Sequence, residues 1–155
     1  MDLLSKDISS AFGSSASLYK HCTVKPTMFS LCADDSDVFS NISANTPDVV
    51  VVNESRREVF ILEVACTFDH SLEEAFLTKM LKYQQLKQTI SQLGYKCNLL
   101  GFIFGSLGHV HKLVVRGLQI AGLSKRKAKQ LARYCSISAI IGSRSVWRRR
   151  CFLYP

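Results

Sequence analysis

Three side chains in this 155-residue sequence have the types and spacing for phosphodiester chemistry: Asp48, Glu63 and Lys79. Asp48 opens one apolar run, and Glu63 sits near the end of the next, fifteen positions later. The period of two in a strand puts Val59, Ile61, Glu63 and Ala65 on one face. A carboxylate among such neighbours is costly unless it is paired or binds a cation. At 100° per residue, a following helix would align Leu72, Phe76, Tyr83, Leu86, Ile90 and Leu93 in one apolar arc. Lys79 falls in the middle of that arc and Lys82 on its edge. A lysine there must snorkel out along its own stem or meet an acid inside. Asp48, Glu63 and the backbone carbonyl of Val64 would supply hard oxygen ligands to Mg2+ or Mn2+. Lys79 or Lys82 would then orient a water or neutralise charge on phosphoryl oxygens. The plain structural alternative is an Asp that caps a turn and a Glu that is salt-bridged to a helix.

The elements that must position these groups are readable from Thr46 onward. Val49-Val50-Val51-Val52 and Glu58–Ala65 are β-branched or apolar runs joined by the polar stretch Asn53–Arg57, which predicts two strands buried on both faces. Ser71-Leu72-Glu73-Glu74 has the pattern of a capping box, predicting one helix to about Leu93 that Gly94 ends. Lys96–Phe104 is a third strand. Residues 107–121 form a helix ended by Gly122, and Ser124 caps another that runs to about Ile141. The order strand, strand, helix, strand, helix, helix gives a mixed α/β fold in a single domain spanning residues 46–155. Residues 1–45 are Ser-rich and poorly defined, with one short helix before a loop.

Charge divides the chain. Net charge is +8; all twelve acids lie between Asp2 and Glu74, while fifteen of the twenty Lys and Arg follow residue 74. That asymmetry favours a polyanionic partner. Lys125, Arg126, Lys127 and Lys129 sit in a helix's first turn, where the macrodipole opposes cations unless a phosphate is bound. Trp147-Arg148-Arg149-Arg150 sets an aromatic beside three guanidiniums that suit a DNA backbone or an unstacked base. Either cluster is equally readable as solvated surface.

Pro47-Asp48, then Glu63-Val64-Ala65-Cys66-Thr67-Phe68-Asp69, then Lys79-x-x-Lys82-Tyr83-x-x-Leu86 resembles the restriction-like endonuclease domain of site-specific non-LTR retrotransposons, a branch of the PD-(D/E)XK nucleases. The resemblance covers Thr46 to Tyr154. It implies a restriction-endonuclease-like mixed central sheet flanked by helices, and Mg2+-dependent or Mn2+-dependent nicking of DNA. It assigns metal binding to Asp48, Glu63 and Val64, and catalysis to Asp48, Glu63, Lys79 and Lys82. The lysine that the wider superfamily carries two positions after the second acid is replaced here by Ala65. The retrotransposon branch takes its lysine from the next helix, which matches Lys79 and Lys82. Thr46 stands where the branch usually has a basic residue before Pro-Asp. A catalytically inactive nucleic-acid-binding remnant or co-opted fragment is the alternative.

The stretch free of charged residues from Cys97 to His111 is shorter than the roughly 20 residues a membrane span needs, so no membrane association is expected. The N-terminus lacks the apolar core of a secretory signal. Six cysteines without a C-x-x-C pair predict free thiols in a reducing compartment, nuclear or cytoplasmic. Nothing in the sequence bears on self-association.

Overall fold

The computed structural model describes residues 16–29 and 38–153. Four strands form one sheet: β1 (Ala16–Lys20), β2 (Val49–Asn53), β3 (Glu58–Thr67) and β4 (Lys96–Gly105), in the spatial order β1-β2-β3-β4. The first two pairings are antiparallel, and β3 with β4 is parallel. Among the described residues four helices cover the sheet: α1 (Leu72–Lys82), α2 (Gln84–Gln92), α3 (Val114–Ile120) and α4 (Lys125–Leu153). The fold is mixed α/β, a single four-stranded sheet flanked by helices.

All five residues of β2 are buried, as are Val59 to Glu63 of β3, because both faces of these strands are covered. One face packs Val50, Val52, Val59 and Ile61 against Tyr83, Leu86 and Ile90. The other packs Val51, Phe60, Leu62, Leu100 and Phe102 against Leu118, Leu131 and their neighbours on α3 and α4. The helical layers are thus α1 with α2 on the first face and α3 with α4 on the second.

The region expected to be a poorly defined segment enters the sheet. β1 pairs with β2 from Ala16 opposite Asn53 to Lys20 opposite Val49, and Val24, Phe29, Phe39 and Ile42 join the α2-side core. The boundary at residue 45 therefore cuts across a packed unit among the described residues. The expected short helix around residues 3–12 lies outside those residues.

The single helix expected over residues 71–93 is two. It breaks at Tyr83 (φ −101°, ψ 10°), whose ring is fully buried. Ser71 makes no side-chain cap, so the capping box does not form. A 3-10 turn over Asp69–Ser71 feeds directly into α1, and Ser71 at φ −107°, ψ 16° lacks the extended backbone that aims an N-cap hydroxyl at the helix. Residues 107–113 are loop, and α3 starts only at Val114. Ser124 does cap α4, accepting from the Lys127 N–H at 3.4 Å. That helix runs through Gly142 to Leu153 instead of ending near Ile141. No helix among the described residues is long and apolar enough to cross a membrane.

Candidate active site

The β2–β3 register pairs Val49 with Leu62, which sets Asp48 opposite Glu63. In an antiparallel pair, directly opposed residues project to the same face. Both acids therefore face the α1 layer. The Asp48 N–H donates to Glu63 Oε2 at 3.3 Å, and the Val64 N–H donates to Asp48 Oδ2 at 2.8 Å. β2 begins at Val49, so β3 runs on past it. The Asp48 carboxylate occupies the position a further β2 residue would fill beside Val64. A strand residue directs its N–H and C=O to the same side, so the Val64 carbonyl also opens toward Asp48.

α1 brings the cation. Lys79 Nζ lies 2.5 Å from Glu63 Oε1; the Glu63 side chain is only 4% exposed and that of Lys79 is 30% exposed. The close approach of α1 has a cause in β4. Gly101 is the parallel partner of Glu63, and a Cβ there would stand 2.9 Å from Met80 Cε and 3.0 Å from the Phe76 ring. A larger residue at 101 would hold the helix, and Lys79 with it, away from the acids.

Lys82 does not reach the pair. Its ammonium donates to the Tyr83 hydroxyl at 2.9 Å and lies 4.6 Å from that ring's centroid. The Tyr83 hydroxyl in turn donates to the Thr46 carbonyl at 3.1 Å, just ahead of Asp48. Burial first, and then the nearby Glu63 carboxylate, push the Tyr83 phenol well above the usual tyrosine range, so it stays a neutral hydroxyl.

Sequence reasoning overlooked His21. It ends β1 in the left-handed region (φ 45°), donates its backbone N–H to the Asp48 carbonyl at 2.9 Å, and holds Nδ1 3.5 Å from Asp48 Oδ1. No local pattern could have found it, because the contact exists only through the β1–β2 pairing. Asp69, an acid of the resembling string, faces away from the pair. Its Oδ1 accepts the Leu107 N–H at 2.9 Å, tying down the loop after β4. Gly105 leaves room for that carboxylate, since a Cβ there would collide with Asp69 Oδ1.

Among the described residues no three His, Cys, Asp or Glu side chains gather as a metal group. The pair of carboxylates with the Val64 carbonyl still fits a hard divalent ion, because Mg2+ takes one or two carboxylates and keeps most of its waters. Asp48, with a side chain 26% exposed, opens the pair to solvent.

The expected nucleic-acid contacts lie at the two ends of α4. Lys125, Arg126, Lys127 and Lys129 are exposed in its first turns, and Arg148, Arg149 and Arg150 are exposed near its end. At 1.5 Å per residue the clusters stand roughly 30 Å apart, so they cannot grip one phosphate. Comparison of the chain with protein-family models and with curated proteins finds no match.

Proposed function

We propose that this chain is a restriction-endonuclease-like, divalent-metal-dependent DNA nicking domain of the kind carried by site-specific non-LTR retrotransposons. One observation carries the reading: two cross-strand carboxylates share a face, and the lysine of the following helix lies 2.5 Å from the more buried of them. The antiparallel β2–β3 hairpin that bears the acids, followed by a helical crossover to a parallel strand, agrees with the sheet such nucleases use. Asp48, Glu63 and the Val64 carbonyl would hold Mg2+ or Mn2+. The ion would supply a Lewis acid at the phosphodiester and acidify water near it.

The chain's own residues do the positioning. Glu63 is fixed at one oxygen by Lys79 and at the other by the Asp48 N–H. Asp48 is oriented by the Val64 N–H and flanked by His21. The partly exposed Lys79 ammonium is aimed where charge builds on phosphoryl oxygens in the transition state. Lys82, held on Tyr83, stands one side chain further out and contributes positive potential. The basic ends of α4 bind DNA backbone away from the cut.

A second reading, a non-catalytic nucleic-acid-binding remnant, is favoured by the fact that each oxygen of the acid pair already has a protein partner. Supercoiled plasmid incubated with the purified chain and Mg2+ or Mn2+ separates the two. Nicking by wild type that Asp48→Ala and Glu63→Ala both lose supports the nuclease. Equal, metal-independent activity in all three proteins rejects it, and DNA binding unchanged by Glu63→Ala then leaves the remnant.

A further inference from the structure

A second concave feature lies beyond the acid pair, on the α4 face of the sheet. A groove of about 990 Å3 opens between the C-terminal end of β3 and the last turns of α4. One wall carries Phe68 and Leu107, and the other carries Val146 and Trp147, with Arg144 and Arg150 also lining it. Phe68, Leu107 and Trp147 are 69%, 80% and 67% exposed. From Arg144 to Cys151 every α4 side chain is exposed, so the helix overhangs the sheet and forms the second wall.

Large aromatic rings held in water on both sides of a cleft call for an occupant with flat apolar faces. The same lining contains two guanidiniums and no acid, so the occupant is anionic as well. An apolar helix, or a second copy seated groove to groove, would satisfy the rings and leave the arginines uncompensated, since the lining holds no acid. A DNA duplex would satisfy the arginines alone, because its base faces are already stacked on one another. Unpaired nucleotides offer both a π face and a phosphate.

We infer that this groove is a stacking site for unpaired bases of a nucleic-acid strand, with Phe68 and Trp147 as the stacking surfaces and Arg144 and Arg150 on the phosphates. It deepens, and rests on, the nucleic-acid reading of the acid pair. At 3.3 Å per residue the five positions from Glu63 to Phe68 span about 17 Å. The acids open on the α1 face and the groove on the α4 face, so a strand that reached both would pass around the C-terminal end of β3.

Trp147 is the only tryptophan in the sequence, so its fluorescence reports on the groove directly. The probes are a ten-nucleotide oligothymidylate and an abasic oligomer of the same length and charge, titrated into the full chain in EDTA so that no cleavage takes part. Oligothymidylate should quench Trp147 and bind about 5- to 150-fold more tightly than the abasic oligomer. Phe68→Ala should shrink that difference and Phe68→Tyr should keep it, with circular dichroism confirming that both variants fold. Equal affinity for the two oligomers, or binding that leaves Trp147 unchanged, overturns the proposal. So does a dimer, seen by sedimentation, that Trp147→Ala dissolves. Because nicking needs metal and Asp48 while this titration needs neither, a failed plasmid assay leaves the stacking result standing, and the converse also holds.

Discussion

The backbone N–H of Asp48 donates to the carboxylate of Glu63, its cross-strand partner, at 3.3 Å. The second acid thus closes the end of the β2–β3 ladder while facing the side chain of the first. A site built this way couples catalytic geometry to local stability, and several expectations separate the two.

Lys79→Met leaves Glu63 Oε1 without its cation in a nearly buried position. Discounted for the exposure of the lysine, the loss should be about 1–3 kcal/mol. Glu63→Gln in the same background should recover part of it, because the uncompensated charge disappears. Urea denaturation of the four proteins of this double-mutant cycle measures the coupling. Additive losses would show that the pair does not interact in solution.

Gly101→Ala places a methyl 2.9–3.0 Å from Met80 and Phe76. Met80 can swing aside, but Phe76 is stacked on His111 with ring centroids 4.4 Å apart. The expected destabilisation is about 1–3 kcal/mol. Nicking measured well below the melting temperature should fall more than the folded fraction does, because α1 carries Lys79 outward. Unchanged nicking would break the link between Gly101 and Lys79.

Tyr83→Phe removes the hydroxyl that joins Lys82 to the Thr46 carbonyl while keeping the buried ring. A cost of about 0.5–1.5 kcal/mol is expected. Tyr83→Ala, which also empties a fully buried site, should cost about 3–5 kcal/mol. Thermal or urea unfolding of both variants tests the split.

Burial pushes the Cys97 thiol up to about 12 from an ordinary value of 9.0. The folded chain therefore keeps a proton that the unfolded chain releases first. Stability is fully present below about pH 9 and falls as pH rises toward 12, by at most about 1.4 kcal/mol per unit from this group. Cys135 is raised by burial too and adds in the same direction. At pH 8, iodoacetamide followed by mass spectrometry should label the exposed Cys66 and Cys151 well before Cys97.

Replacing Lys125, Arg126, Lys127 and Lys129 with Gln should weaken DNA binding without regard to sequence. The slope of log affinity against log salt should flatten by about 0.9 for each phosphate that is no longer neutralised. Binding isotherms at several salt concentrations give that slope directly. An unchanged slope would make this end of α4 ordinary solvated surface.

The parts of the fold legible in the sequence are those where both faces of an element are buried. The Val49–Val52 run and the Glu58–Ala65 run announced themselves through apolar character that Glu63 alone interrupts between Val59 and Ala65. Lys79 stood out because it interrupted an apolar arc. β1 was invisible for the opposite reason: Ala16–Lys20 lies at the sheet edge, none of its residues is fully buried, and it has no β-branched residue. His21 went unseen with it, since its contact with Asp48 is set by pairing across the sheet. The break at Tyr83 has no proline or glycine to mark it. It follows from the buried ring and its hydrogen bond to Thr46, a contact across 37 positions. The division of the basic residues between two ends of one helix was equally hidden while α4 was expected to stop near Ile141.

The β2–β3 register has a consequence for folding fidelity. A strand that slips by one residue turns every side chain to the opposite face. In this hairpin a slipped Glu63 would leave Lys79 and drive its carboxylate into the layer where Leu62 meets Leu100, Phe102 and Leu118. The misaligned chain would then carry an unpaired charge in its core and could not persist. The residue proposed for chemistry thereby also proofreads the alignment of the sheet that carries it.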